Sequence, residues 1–70
     1  MFLNHKPIEI KEKDLGLRLD KFLQIRFKNL NFLNIQKLIR TGQIRVDGKR
    51  VVGSKRLELG NLIRVPYVYR

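Results

Sequence analysis

Ile35 to Val52 reads IQKLIRTGQIRVDGKRVV, and its reading decides the fold. Ile35, Leu38 and Ile39 recur at helical spacing, so the stretch opens on the last turns of an amphipathic helix. Thr41-Gly42 ends it, because glycine takes the left-handed conformation without a Cβ clash. Ile44 and Val46 then alternate with Gln43 and Arg45, the period of a half-buried strand. Asp47-Gly48 is the pair favoured in a type I′ hairpin turn, where both central residues need positive φ. Lys49 to Val52 is the expected return strand. The two-residue loop sets the register: Val46 faces Lys49, Arg45 faces Arg50 and Ile44 faces Val51. Ile44 and Val51 would share the core face, and Arg45 and Arg50 would stand side by side on the other. Like charges directly opposite are unfavourable by themselves. Either the two arginines splay apart in water, or an anion sits between them.

The charge tally favours the anion. Sixteen basic residues against six acidic ones leave a net charge of +10 in 70 residues. The excess is concentrated in the second half, where residues 36–70 carry nine basic and two acidic side chains. Between Arg40 and Arg56, Asp47 is the one acid against six bases. A merely soluble surface mixes both signs, whereas such asymmetry points to a polyanionic partner, with nucleic acid ahead of an anionic membrane. A membrane-surface helix would want interfacial tryptophan, and the chain has none.

Length allows one small domain, residues 1–70, with a thin core. There is no cysteine, hence no disulfide framework and no cysteine zinc site. No apolar run reaches the length of a membrane span. His5 is the single histidine and has no second ligand at useful spacing, so it is read as a surface residue. No cofactor or metal is expected.

Outward from the central stretch, Leu17 to Phe27 reads as a first helix. Leu19, Phe22, Leu23 and Phe27 form one apolar stripe, and Asp20 in the first turn suits the helix dipole. Asn31 is a fair N-cap for a second helix over Phe32 to Arg40. Lys37 and Arg40 share a face of it and lead into the basic hairpin. Ile8 and Ile10 mark a short edge strand. Leu57 is expected to return to the core, Gly60-Asn61 to turn, and Leu62 to Val65 to form the last strand, closed by Pro66. Tyr67 and Tyr69 follow, and they are read as covering an edge or a neighbouring domain rather than stacking on bases.

Several of these blocks together carry a family resemblance. Gly16, Arg18-Leu19-Asp20-Lys21-Phe22-Leu23, Ile35-Gln36-Lys37-Leu38-Ile39-Arg40, Gly42-Gln43, Val46-Asp47-Gly48-Lys49 and Leu59-Gly60-Asn61 resemble the ribosomal-protein-S-four-type RNA-binding domain. The resemblance spans roughly residues 16–66. The strand before GLRLDKFL and the LIRVP ending are similar to the N-terminal module of large-subunit ribosomal RNA pseudouridine synthases. It implies an α+β fold, two helices packed on a small antiparallel β-sheet, the so-called alpha-L RNA-binding motif. It also implies that the domain grips structured RNA through the helix pair and the following hairpin. Carried over position by position, the RNA-facing set is Arg18, Lys21, Lys37, Arg40, Gln43, Arg45, Lys49 and Arg50. The family's Ser- and Arg-rich start of the second helix is replaced here by Phe32, Leu33 and Asn34. The two apolar ones, Phe32 and Leu33, either dock a partner or bury against the first helix. Asp47 stands where the family often has asparagine.

Catalysis is not expected of this chain. The synthases use an aspartate within His-Arg-Leu-Asp, followed shortly by Thr-Ser-Gly. Arg18-Leu19-Asp20 matches the middle of that motif, but Leu17 replaces the histidine and Lys21-Phe22-Leu23 does not continue it. Asp20 is therefore read as a structural residue beside Arg18. The chain is expected to be the RNA-binding portion of a synthase, monomeric and cytoplasmic, beginning naturally at Met1 and cut at Arg70 ahead of a catalytic domain. The alternative is a complete ribosome-associated protein of the same domain type.

Overall fold

The computed structural model describes residues 7–66. Its elements are β1 (Ile8–Glu9), a single 3-10 turn (Glu12–Asp14), α1 (Leu19–Arg26), α2 (Phe32–Arg40), β2 (Arg45–Val46) and β3 (Leu62–Arg64). Two helices pack together on a three-stranded antiparallel sheet of order β1-β3-β2. This is the expected α+β architecture. His5, Tyr67 and Tyr69 lie outside the described residues.

The last strand in sequence is the central one. Ile63 lies opposite Ile8 on one side and Val46 on the other. All three are buried, and they form the sheet's contribution to the core. Leu19, Phe22 and Leu23 face them from α1, and Ile35, Leu38 and Ile39 from α2. Ile10, Ile44, Leu57 and Val65 close the core from segments adjoining the strands. The stripe of α1 extends through Phe27, which is also buried.

α2 has the expected bounds. The Asn31 side chain caps it by accepting from the Asn34 amide at 2.8 Å. α1 starts two residues later than expected. After a turn at Gly16, the chain instead runs through Leu17 and Arg18 against the segment leading to Leu57: the Gly16 amide donates to the Leu57 carbonyl, and the Leu57 amide to the Leu17 carbonyl, both at 2.9 Å. Arg18 precedes the helix without any side-chain cap. The first amides of α1 are satisfied from afar: Leu19 donates to the Lys55 carbonyl at 2.8 Å and Asp20 to that of Gly53 at 3.1 Å. Orphan amides at a helix start need such partners, and here a distant loop supplies them.

The turn at Asp47-Gly48 is the expected one. Both residues have positive φ, 52° and 77°. Val46 and Lys49 exchange amide bonds at 3.1 and 3.0 Å. The return strand, however, stops at that single rung. β2 finds its ladder on β3 instead, with Arg45 opposite Arg64. Pairing with β3 places Val46 against buried Ile63, a core contact that Lys49 cannot offer.

Candidate nucleic-acid interface

The C-terminal end of α2 organises the basic surface. Gly42, at φ 79°, turns the chain so that its amide donates to the Ile39 carbonyl and the Gln43 amide to that of Leu38. Thr41 Oγ1 donates to the Lys37 carbonyl at 2.8 Å, and Gln43 Nε2 donates to Thr41 Oγ1 at 3.1 Å. Two arginines complete the cap. Arg50 Nη2 donates to the Arg40 carbonyl at 3.0 Å, and Arg45 Nε to the Gly42 carbonyl at 2.9 Å. The negative end of the helix dipole favours cations at this place. Lys37, Arg40, Gln43, Arg45 and Arg50 are thereby collected around one helix end.

This corrects the expected pairing of Arg45 with Arg50. They are not cross-strand partners, because the ladder ends at Lys49. Arg45 instead faces Arg64 across β2 and β3. The two guanidiniums nevertheless both reach Gly42, since atoms of the Arg50 guanidinium lie 2.9–3.1 Å from where a Cβ on residue 42 would stand. Glycine is favoured there for its φ, and its missing Cβ leaves room for the Arg50 guanidinium. Neither Arg45 nor Arg50 has a carboxylate within salt-bridge distance among the described residues. Each spends one donor on a backbone carbonyl and keeps others for an incoming anion.

A second cluster forms at the start of α1. Arg18 grips Asp20 with two bonds, Nε to Oδ1 at 3.1 Å and Nη2 to Oδ2 at 3.0 Å. Gln36 Nε2 of α2 donates to the same Oδ2 at 3.0 Å. Asp20 is only 4% exposed, so this network ties both helices together from inside. Gly53 fits against it, since a Cβ there would stand 3.1 Å from Asp20 Oδ2 and Gln36 Oε1. Burial raises the pKa of Asp20, but the hydrogen bonds from Arg18 and Gln36 and the charge of Arg18 outweigh it, holding the carboxyl below its ordinary value. The structural reading of Asp20 thus has a geometric basis.

That shift has a testable sign. A carboxylate with a depressed folded pKa stabilises the fold above its unfolded pKa and loses that contribution as pH falls through the folded value. The parent chain should therefore lose stability between neutral pH and about pH 3, and Asp20→Asn should lose less over the same window. Urea midpoints at the two pH values measure it. An equal drop in parent and variant would remove Asp20 from the acid response.

Lys21 and Lys49 are exposed, on α1 and in the type I′ turn, and neither side chain is bonded to the two clusters. Two arginines escaped the sequence reading. Arg56 lies opposite Arg18 in an antiparallel bridge, and Arg64 opposite Arg45. No local pattern marks either, because both placements depend on partners far away in sequence. Phe32 and Leu33 do not bury against α1: they are 48% and 77% exposed. Among the described residues, no cluster of metal-ligating side chains occurs and no helix is long and apolar enough to cross a membrane.

The chain is similar to one stretch of a longer enzyme. It is 44% identical over 59 residues to ribosomal large subunit pseudouridine synthase C of Buchnera aphidicola subsp. Baizongia pistaciae, covering 84% of this chain and 19% of the enzyme. With the synthase C of Vibrio cholerae, identity is 39% over 61 residues, 87% of this chain and 19% of the enzyme. With that of Escherichia coli it is 33% over 63 residues, 90% of this chain and 20% of the enzyme. The chain thus spans about a fifth of the length of the curated relatives it matches. No protein-family model matches it.

Proposed function

We propose that this chain is an RNA-binding domain of the S-four type, the N-terminal RNA-docking module of a ribosomal RNA pseudouridine synthase. One observation carries the proposal: Lys37, Arg40, Gln43, Arg45 and Arg50 converge on the end of α2, with Arg45 and Arg50 anchored on backbone carbonyls. Arginine forks held in place in this way suit phosphate oxygens. Similarity to synthases that act on the large subunit supports ribosomal RNA as the partner. The uridine isomerisation would belong to the remaining four-fifths of such an enzyme, and Asp20, tied up by Arg18 and Gln36, has no part in it. A cytoplasmic, monomeric domain is consistent with this role.

The interface should prefer folded RNA, because among the described residues no exposed aromatic row interleaves with its basic residues as a single-strand stacking groove requires. If roughly four to six phosphates are neutralised, the logarithm of affinity should fall with that of salt at about −0.9 per phosphate on a duplex. Titration of a labelled RNA hairpin at several salt concentrations tests this. A flat salt dependence, or tighter binding of an unstructured oligonucleotide, would overturn the reading.

A further inference from the structure

Arg18 and Arg56 are opposite each other in an antiparallel bridge, so their side chains leave the backbone on the same side, about 5 Å apart at Cβ. Both guanidiniums are held. Arg18 donates Nε and Nη2 to Asp20. Arg56 donates Nη1 to the Gly16 carbonyl at 3.1 Å. Both residues are exposed, and each keeps unused N–H groups. Asp20 is the sole carboxylate within salt-bridge distance of either among the described residues. It lies buried behind Arg18, where Gln36 fixes its Oδ2. The first amides of α1 are already spent on the carbonyls of Gly53 and Lys55, so an anion here would be held by side chains and not by the helix end.

We propose that Arg18 and Arg56 together hold one RNA phosphate, a contact separate from the cluster at the end of α2, with Asp20 and Gln36 as the positioning residues that aim Arg18. The inference rests on the RNA-binding reading and adds to it Arg56 as a contact and Asp20 as a determinant of affinity. A phosphate between the two guanidiniums relieves their mutual repulsion. The segment 53–57 then acts twice, satisfying the start of α1 and delivering the second arginine.

The test is anisotropy of a fluorescein-labelled RNA hairpin with the full chain, its variants and a melting curve for each. Arg18→Ala and Arg56→Ala should each weaken binding about threefold to tenfold. The double variant should lose less than the product of the single losses, because both act on one phosphate. Its salt slope should fall by about one phosphate, roughly 0.9. Arg56→Lys keeps the charge and should still bind more weakly, since the fork is lost. Asp20→Asn raises the net charge, so attraction by total charge alone would tighten binding; loss of positioning should weaken it. Should Asp20→Asn fail to fold, Gln36→Ala provides the positioning arm and is expected to weaken binding without changing the charge. Independent losses for Arg18 and Arg56, or parent-like binding by Arg56→Ala, would overturn this inference while leaving the RNA reading intact. Failure of the parent chain to bind the hairpin would overturn both.

Discussion

Arg45→Ala and Arg50→Ala should each weaken RNA binding about fivefold to a hundredfold at fixed salt, because a charge-assisted contact to phosphate is worth about 1–3 kcal/mol. Arg26→Ala, removing the same charge from the last turn of α1, should bind nearly as the parent does. The cross-strand pairing expected from sequence would let either truncation keep or gain thermal stability, by relieving a like-charge pair. The anchoring bonds in the structure oppose that gain, although Arg45 still faces a like charge in Arg64. Arg50 caps the Arg40 carbonyl and Arg45 the Gly42 carbonyl, so each truncation leaves a helix-end acceptor to water. Both variants should therefore melt slightly below the parent while losing far more affinity than that loss explains. The decisive comparison is RNA affinity of all three variants at one salt concentration, below their melting temperatures. Equal losses for the three would mean that total charge, and not the end of α2, drives binding.

Asp47→Ala should be among the most destabilising single changes outside the core. Asp47 sits at φ 52°, a conformation that costs most residues about 1–2 kcal/mol and aspartate or asparagine less. Its carboxylate also joins two turns. Oδ1 accepts from the Leu62 amide and Oδ2 from Asn61 Nδ2, each at 2.9 Å. Asn61 is buried, and its own Oδ1 accepts from the Glu58 amide at 2.7 Å. Alanine would leave that buried amide without an acceptor while straining the turn, for a combined loss of about 2–4 kcal/mol. A domain of this size has only a few kcal/mol more than that to lose. Asp47→Asn should fall between parent and alanine: it tolerates the left-handed backbone and can still accept from Leu62, but it sets an amide against the Asn61 amide. Removing a negative charge from the basic surface should tighten its RNA binding slightly. Urea denaturation reads the stabilities, and a parent-like midpoint for Asp47→Ala would show that the bridge between the turns is idle.

Local signals were legible in the sequence, and distant ones were not. The bounds of α2 follow from Asn31 and Gly42, and the type I′ turn from Asp47-Gly48, because each depends on a few adjacent residues. The apolar stripe from Leu19 to Phe27 named the buried face of α1 for the same reason. The return strand after Lys49 was misread because a turn specifies its first rung and not how far the ladder runs. Leu62 to Arg64 competes for β2 and brings Ile63 with it. The start of α1 shifted because Gly53 and Lys55 supply its caps from across the molecule. At the site, the positions around Gly42 were recognisable as a basic surface, but their anchoring on backbone carbonyls was not. Arg56 and Arg64 gain their places only from strand and bridge partners that no local pattern encodes.

The central position of β3 has a consequence for a chain that is made from one end. Ile8 waits for Ile63, and β2 waits for the same three residues. During synthesis, α2 and the tight turn can form early from contacts short in sequence, whereas the start of α1 waits for the carbonyls of Gly53 and Lys55. The sheet does not exist until Arg64 has emerged, and until then two strands present unpaired backbone and apolar side chains. Closing so wide a span is slow compared with forming a helix. The sheet can therefore close only late in synthesis, once Ile63 is available to both β1 and β2.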